Sequence, residues 1–212
     1  GGSIDRSLTV NVSAPAAQVL AYKPAQQSSD IVIQAEETHD RISKSNKNWV
    51  TANNWNGGTG TLKRYIQARE DTGVNISGYK ANSPIARYRI YIPPGWNLPK
   101  TYRVWLRGNA AKNQDDQVYV QPDNATQTCG EDITFLTQPN NGSWFWASRR
   151  NNSATGPDAK ITFYGSGVHQ LNVYMKKDGL KIDKIVLRPE SDTANVSGNG
   201  PANETPQVLV TP

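Results

Sequence analysis

Residues Gly167–Pro189, GVHQLNVYMKKDGLKIDKIVLRP, restrict what the rest of the chain can be. His169, Leu171, Val173 and Met175 alternate with Gln170, Asn172, Tyr174 and Lys176, the period of two that belongs to a strand with one buried face. Lys177, Asp178 and Gly179 supply turn chemistry, so the stretch is predicted to close as a hairpin. The return strand buries Leu180 and Ile182, then Ile185 and Leu187, so its apolar phase slips by one residue around Asp183 and Lys184. Such a slip implies a bulge, which re-aims the side chains beside it. Asp183 is then either a solvated residue or a ligand held against another element.

The same alternation recurs upstream. Ile31, Ile33 and Ala35 are apolar on one face while Gln34 and Glu36 share the other. Tyr88, Ile90 and Ile92 mark a strand that stops at Pro93-Pro94-Gly95, and Tyr102, Val104 and Leu106 mark its expected partner. Arg87, Arg89, Arg103 and Arg107 fall on the outer sides of these two strands, as a solvated face or as a strip that meets an anion. Val118 and Val120, Ile161 to Tyr164, and Trp144 and Trp146 with Phe145 facing the opposite way give further strands. About eight strands, turn signals throughout and no amphipathic helical period predict an all-β, two-sheet antiparallel β-sandwich of the jelly-roll kind.

With 212 residues there is room for one sizeable core. The expected boundaries are 1–29 for a preceding strand and linker opening on a Gly-Gly-Ser cloning scar, 30–189 for the sandwich, and 190–212 for an aperiodic tether. Charged residues make up 19% of the chain, and Asn, Ser, Thr, Gly and Trp are plentiful, a balance that suits a secreted or cell-surface β protein. The net charge of +5 is scattered rather than blocked, so nucleic acid is not expected as a partner. No apolar run approaches the roughly 18 residues needed to span a bilayer, and membrane insertion is not expected. Cys129 has no partner for an internal disulfide. Neither histidine sits in a nucleophile or zinc motif: His169 occupies the buried phase of its strand and His39 a polar loop.

IQAEE at 33–37, SPIARYRIYIPPG at 83–95, TYRVWLRGNA at 101–110, GSWFWAS at 142–148 and GVHQLNVYMKKDGLKIDKIVL at 167–187 occur in the order found in galactose-binding-like jelly rolls. They resemble the carbohydrate-binding modules of families 6 and 35 and related malectin-like modules. The resemblance spans about Asp30 to Pro189. It implies a structural calcium held at Gln34, Glu36 and Asp183, with Gln34 standing where the family often has Glu. It also implies a sugar cleft in the loops at one end of the sandwich, and sometimes a second on a concave sheet face. For the loop cleft the candidates are Trp49, Trp55, Asp115, Asp116, Trp144, Trp146, Lys177 and Asp178, aromatic rings for pyranose faces and polar groups for hydroxyls. Trp105 and one of Trp144 or Trp146 are equally suited to the core.

The resulting expectation is a monomeric, non-catalytic module that holds a larger secreted enzyme or adhesin on a polysaccharide, an acidic one given the positive charge. Asp115 and Asp116 are sequence neighbours and make a poor pair for glycoside cleavage. Two alternatives stand beside it: a calcium-containing structural or protein-binding sandwich, and a jelly-roll polysaccharide lyase or hydrolase.

Overall fold

Alternating sequence and short, Gly- and Pro-rich connections produce two antiparallel-rich sheets packed face to face. The computed structural model describes residues 16–53, 63–110, 117–123, 131–134, 143–149 and 157–212. In chain order the elements are β1 (Val19–Tyr22), β2 (Ile31–Gln34), β3 (Asp40–Ile42), β4 (Asn48–Asn53), β5 (Arg64–Arg69), α1 (Tyr79–Asn82), β6 (Ile85–Ile92), β7 (Lys100–Asn109), β8 (Gln117–Pro122), β9 (Glu131–Thr134), β10 (Phe145–Ala147), β11 (Lys160–Phe163), β12 (Gly167–Met175), β13 (Lys181–Pro189) and β14 (Gln207–Val210). Sheet A has the order β14-β1-β6-β12-β8-β9 with β3 also on β6; sheet B has the order β10-β7-β13-β5-β4 with β11 also on β7 and β2 on β13. The all-β sandwich expected from the sequence is the observed fold.

The inner faces are those the alternation marked. Tyr88, Ile90, Ile92, Leu171, Val173 and Met175 from sheet A meet Ile33, Val104, Leu106, Ile182, Ile185 and Leu187 from sheet B, all of them fully buried. Each such aliphatic side chain contributes about 1.5–3 kcal/mol relative to leaving it in water. Where polar atoms enter the core they find partners: the Tyr88 hydroxyl donates to the Ala35 carbonyl at 2.7 Å. His169 is the core histidine its phase implied, 8% exposed, with Nε2 2.8 Å from the Gly165 carbonyl.

Three expectations are corrected. The stretch 167–189 is not a hairpin: β12 pairs with β6 and β8, whereas β13 pairs with β2, β5 and β7. The turn between them is an arch from one sheet to the other. The Lys177 amide donates to Gln117 of sheet A at 3.2 Å and the Gly179 amide to Ala68 of sheet B at 2.8 Å, so each end of the turn is bonded into a different sheet. Alternation says which face of a strand is buried, and both strands of an arch bury theirs in the same core. For the same reason β6 and β7 belong to opposite sheets, and the arginine strip is divided, Arg87 and Arg89 on one outer face and Arg103 and Arg107 on the other.

The third correction concerns the termini. Residues 190–206 are a strap packed across the outer face of sheet B, and β14 then joins sheet A beside β1 through the register Val19↔Val210 to Tyr22↔Gln207. Thr205 extends sheet B, its amide donating to the Val32 carbonyl at 2.9 Å and its hydroxyl accepting from the Val32 amide at 2.8 Å. A segment with no apolar period can still be fixed when its carbonyls and hydroxyls find donors, and the sandwich supplies them. The 30 and 189 boundaries therefore fall inside the folded unit. The strand candidate at Leu8–Val12 and the Gly-Gly-Ser start lie outside the described residues.

Candidate functional site

Position 183 is where the sheet changes neighbours. The register of β13 against β7 shifts between Ile182 and Lys184, the bulge that the phase slip implied. Ile182 pairs with Ile66 of β5 on one side of the bulge and Lys184 with Gln34 of β2 on the other. The freed Asp183 carbonyl accepts the Ala35 amide at 2.9 Å, and the fully buried side chain takes Arg107 Nη1 at 2.8 Å. Two charges buried together stabilise only when both are well bonded, and here the guanidinium supplies the compensation.

Around this pair gather the other predicted metal ligands. Gln34 donates through Nε2 to Glu204 of the strap at 2.7 Å, while its Oε1 and the Glu36 Oε2 are buried with no hydrogen-bond partner among the described residues. Burial, with Asp183, Glu37 and Glu204 adding negative charge, pushes the Glu36 carboxyl up to about 7, against a backbone hydrogen bond that acts downward. Both orphaned atoms are acceptors, the kind of oxygen that a hard cation takes as a ligand, whereas the Asp183 carboxylate already has Arg107 as its partner. Among the described residues no group of three or more His, Cys, Asp or Glu side chains is placed to hold a metal ion.

Arg107 reaches in the other direction as well. Its guanidinium carbon lies 5.5 Å from the ring centroid of Trp144, and that ring meets Tyr65 edge-on at 5.4 Å and 61°. Lys181 Nζ stands 5.9 Å from the Tyr65 centroid. Trp144 and Tyr65 are half-buried on the outer face of sheet B, whose inner face is the core. Two rings at an angle beside two cationic side chains form an amphipathic surface.

The remaining sequence candidates separate. Trp146, two residues on and on the same face, packs on the satellite cluster of Val32, Trp105, Val186 and Val196, and its Nε1 donates to the Gly198 carbonyl at 3.0 Å. Its ring is held by the strap. Trp49 is 3% exposed in the main core, which leaves no ring face for a ligand and removes it from the cleft. Asp178 is removed too: it is fully buried, accepting the Thr72 amide at 2.9 Å, the Thr72 hydroxyl at 2.7 Å, the Val74 amide at 2.8 Å and Lys47 Nζ at 3.0 Å. Burial pushes that carboxyl up, but these donors outweigh it and hold the group below its ordinary range. Lys177 is half-buried in the arch and bridges to Asn75. Trp55, Asp115 and Asp116 lie outside the described residues. Sequence reasoning missed Tyr65 and Lys181. Alternation in Arg64–Arg69 could have placed Tyr65 outward, but only the pairing of β5 with β13 brings it to Trp144.

The profile of the glycosyl hydrolase family 115 C-terminal domain matches residues 25–203. The chain belongs to that family. Residues 190–203 of the strap fall within the matched span, in keeping with its packing on the sandwich. Protein P23 of Formosa agariphila, described as uncharacterized, is 23% identical over 142 residues, covering 60% of this chain and 33% of that one, so this domain spans about a third of the relative's length. Among solved structures, a Bacillus thuringiensis Cry1Da tryptic core variant aligns with TM-score 0.50 at 15% identity over 80% of this chain and 25% of that chain. The Podospora anserina GH26-CBM35 β-(1,4)-mannanase aligns with TM-score 0.49 at 16% identity over 79% and 29%. The Cry1Da alignment is a likeness of fold.

Proposed function

We propose that this family 115 C-terminal domain is a non-catalytic carbohydrate-binding module, carried by a larger secreted or cell-surface enzyme or adhesin and serving to hold it on a polysaccharide. The observation that carries this reading is the Trp144–Tyr65 pair, half-exposed at 5.4 Å beside Arg107 and Lys181 on the outer face of sheet B. Pyranose C–H faces pack on such rings, and hydroxyls or carboxylates take the neighbouring donors. Arg107 is already compensated by Asp183, so the cation offered to a uronate or sulfated polymer is Lys181, supported by the net charge of +5. Family membership supports the ancillary role: the matched domain is named as the C-terminal part of a glycosyl hydrolase.

Calcium forms part of the proposal. Gln34, Glu36 and Asp183 would hold it, and it would supply positive charge to Gln34 Oε1 and Glu36 Oε2, buried oxygens that lack donors among the described residues, beside the Arg107-paired Asp183, tying β2 to β13.

Affinity electrophoresis against neutral and acidic polysaccharides, in calcium and in chelator, tests the reading. Retardation by one polymer class, abolished in Trp144→Ala with a melting temperature lowered by no more than about 4 °C, is the expected result. Loss of retardation or of melting temperature in chelator supports the metal. No retardation by any polymer turns the reading to a structural sandwich. That second reading draws on Leu20 and Leu209, cross-strand partners on the terminal ribbon that are 42% and 64% exposed and offer an apolar contact to an adjacent domain.

A further inference from the structure

The strap does more than cover sheet B. Between it and the sandwich lies a cavity of about 340 Å³ lined by Asp30, Arg188, Asn195, Val196, Ser197, Gly200 and Pro201. That volume is at the lower end of the roughly 300–1,000 Å³ typical of small-molecule sites, a space for one sugar ring rather than a chain.

Its walls are fixed. The Ala194 carbonyl accepts from Arg103 Nη2 at 2.7 Å and from Arg188 Nη1 at 3.1 Å. Lys184 Nζ donates to the Asn199 and Pro201 carbonyls at 3.3 and 3.2 Å, and Trp146 holds the Gly198 carbonyl. Four side chains from the sheet therefore grip the strap within eight residues, and a ligand entering the cavity would not have to order it.

The chemistry of the walls selects the ligand. Arg188 Nη2 lies 2.7 Å from Asp30 Oδ2 and its Nε 3.4 Å from Asp192 Oδ2, so one guanidinium faces two carboxylates. Arg188 is neutralised within the wall, Arg103 is paired with Asp158 at 3.4 Å and Lys184 donates to the Asn199 and Pro201 carbonyls, so among the described residues the lining offers no uncompensated cation to a carboxylate, sulfate or phosphate. Among the described residues no aromatic ring lines the cavity, so a ligand there is held by polar groups rather than by ring stacking. The lining mixes a paired carboxylate and guanidinium (Asp30, Arg188), an amide (Asn195) and a hydroxyl (Ser197) with the apolar Val196 and Pro201. Neighbouring sugar hydroxyls each donate and accept, and so suit a lining that mixes donors and acceptors.

We infer that this cavity is a second site, distinct from the Trp144–Tyr65 surface, that takes a single neutral monosaccharide unit. The inference rests on the sugar-binding reading for its ligand class alone. The test is a ¹H–¹⁵N titration of the whole chain with the methyl glycosides of glucose, galactose, mannose and xylose, and with sodium glucuronate as the acidic comparator. At least one methyl glycoside is expected to move the Val196, Ser197 and Gly200 amides saturably, glucuronate to move none, and the exposed-rim double variant Asn195→Ala/Ser197→Ala to weaken the response about fivefold or more. Silence of these amides toward all four glycosides overturns the site, as does an equal response to glucuronate or an unchanged response in the double variant. Polymer retention lost in Trp144→Ala while the strap amides stay silent removes this site and leaves the proposed function standing. Strap amides that respond in a protein retaining no polymer support the cavity and remove the stacking surface.

Discussion

Trp144 and Trp146 sit two residues apart on the same side of sheet B, yet they belong to different halves of that face. Around Trp146 the sheet is covered: the ring packs on Val32, Trp105, Val186 and Val196, and Gly198 and Gly200 of the strap lie against it. Around Trp144 the ring meets another half-exposed aromatic and the Arg107 guanidinium. Local sequence is nearly the same for the two. What differs is a segment some fifty residues later, and the lesson is that a tryptophan's role on a sheet is decided by what the chain later lays over it.

Arg107 joins the halves, so its removal has the largest expected effect. Arg107→Met leaves the fully buried Asp183 without its 2.8 Å partner, and breaking such a pair costs about 3–5 kcal/mol. In a domain of this size that lowers Tm by on the order of 6–20 °C, measured by calorimetry. Added calcium is expected to recover part of the loss, because the cation replaces the missing positive charge beside the same carboxylate. A variant that melts like the parent in chelator would show that Asp183 is not sealed from water, and with it the division of the face would fail.

Gly200→Val tests the covered half. Gly200 has φ of +72°, and a Cβ there would stand 2.4 Å from the Trp146 ring. Left-handed strain and overpacking together cost about 2–4 kcal/mol. The strap and β14 are expected to loosen first, seen as faster proteolysis after residue 190, while polysaccharide retention through Trp144 persists. Should retention vanish as well, the two halves are coupled and the comparison must be redrawn.

The tryptophans themselves give a smaller, crossed pair of effects. Trp146→Ala removes a partly buried ring from the satellite cluster and is expected to destabilise by about 2 kcal/mol with little change in polymer retention. Trp144→Ala is expected to cost about 1 kcal/mol or less and to abolish retention. Thermal melts and affinity electrophoresis run on both variants would expose the opposite pattern at once.

Much of this architecture is legible in the chain. Period-two alternation marks the buried face of β2, β6, β7, β12 and β13, and the phase slip alone locates the bulge at Asp183. Pairing is not legible. Which sheet a strand joins depends on partners far away in sequence, so 167–189 reads as a hairpin when it is an arch, and four arginines read as one strip when they lie on two faces. Trp49 and Asp178 look like site residues because they sit among polar neighbours; the core and the Thr72–Val74 amides claim them instead. The strap has no hydrophobic period at all. It is held by side chains of the sheet reaching its carbonyls, a device that leaves no mark in the segment's own composition.

The smallest expected effect separates the terminal ribbon from the centre of sheet A. His39 Nδ1 accepts the Arg89 amide at 3.0 Å, and its ring lies edge-on to Tyr22 of β1 at 5.3 Å. Burial, reinforced by the Arg89 charge, lowers its pKa, so its contribution is present above the unfolded value near 6.5 and is lost as pH falls through the folded one. His169 is the reverse: Asp123 Oδ1 stands 3.5 Å from Nδ1 and the Gly165 carbonyl 2.8 Å from Nε2. The Asp123 hydrogen bond, opposed by burial, raises its pKa, so its contribution is complete below about 6.5 and is lost as pH rises through the folded value. Melting temperatures from pH 5 to 9 are therefore expected to lose their acid-side decline in His39→Asn and their neutral-side decline in His169→Asn, each relative to the parent. If both variants flatten the same side, one imidazole carries the opposite charge from that assigned here. The docking of β1 and β14 would then weaken together with the centre of sheet A rather than before it.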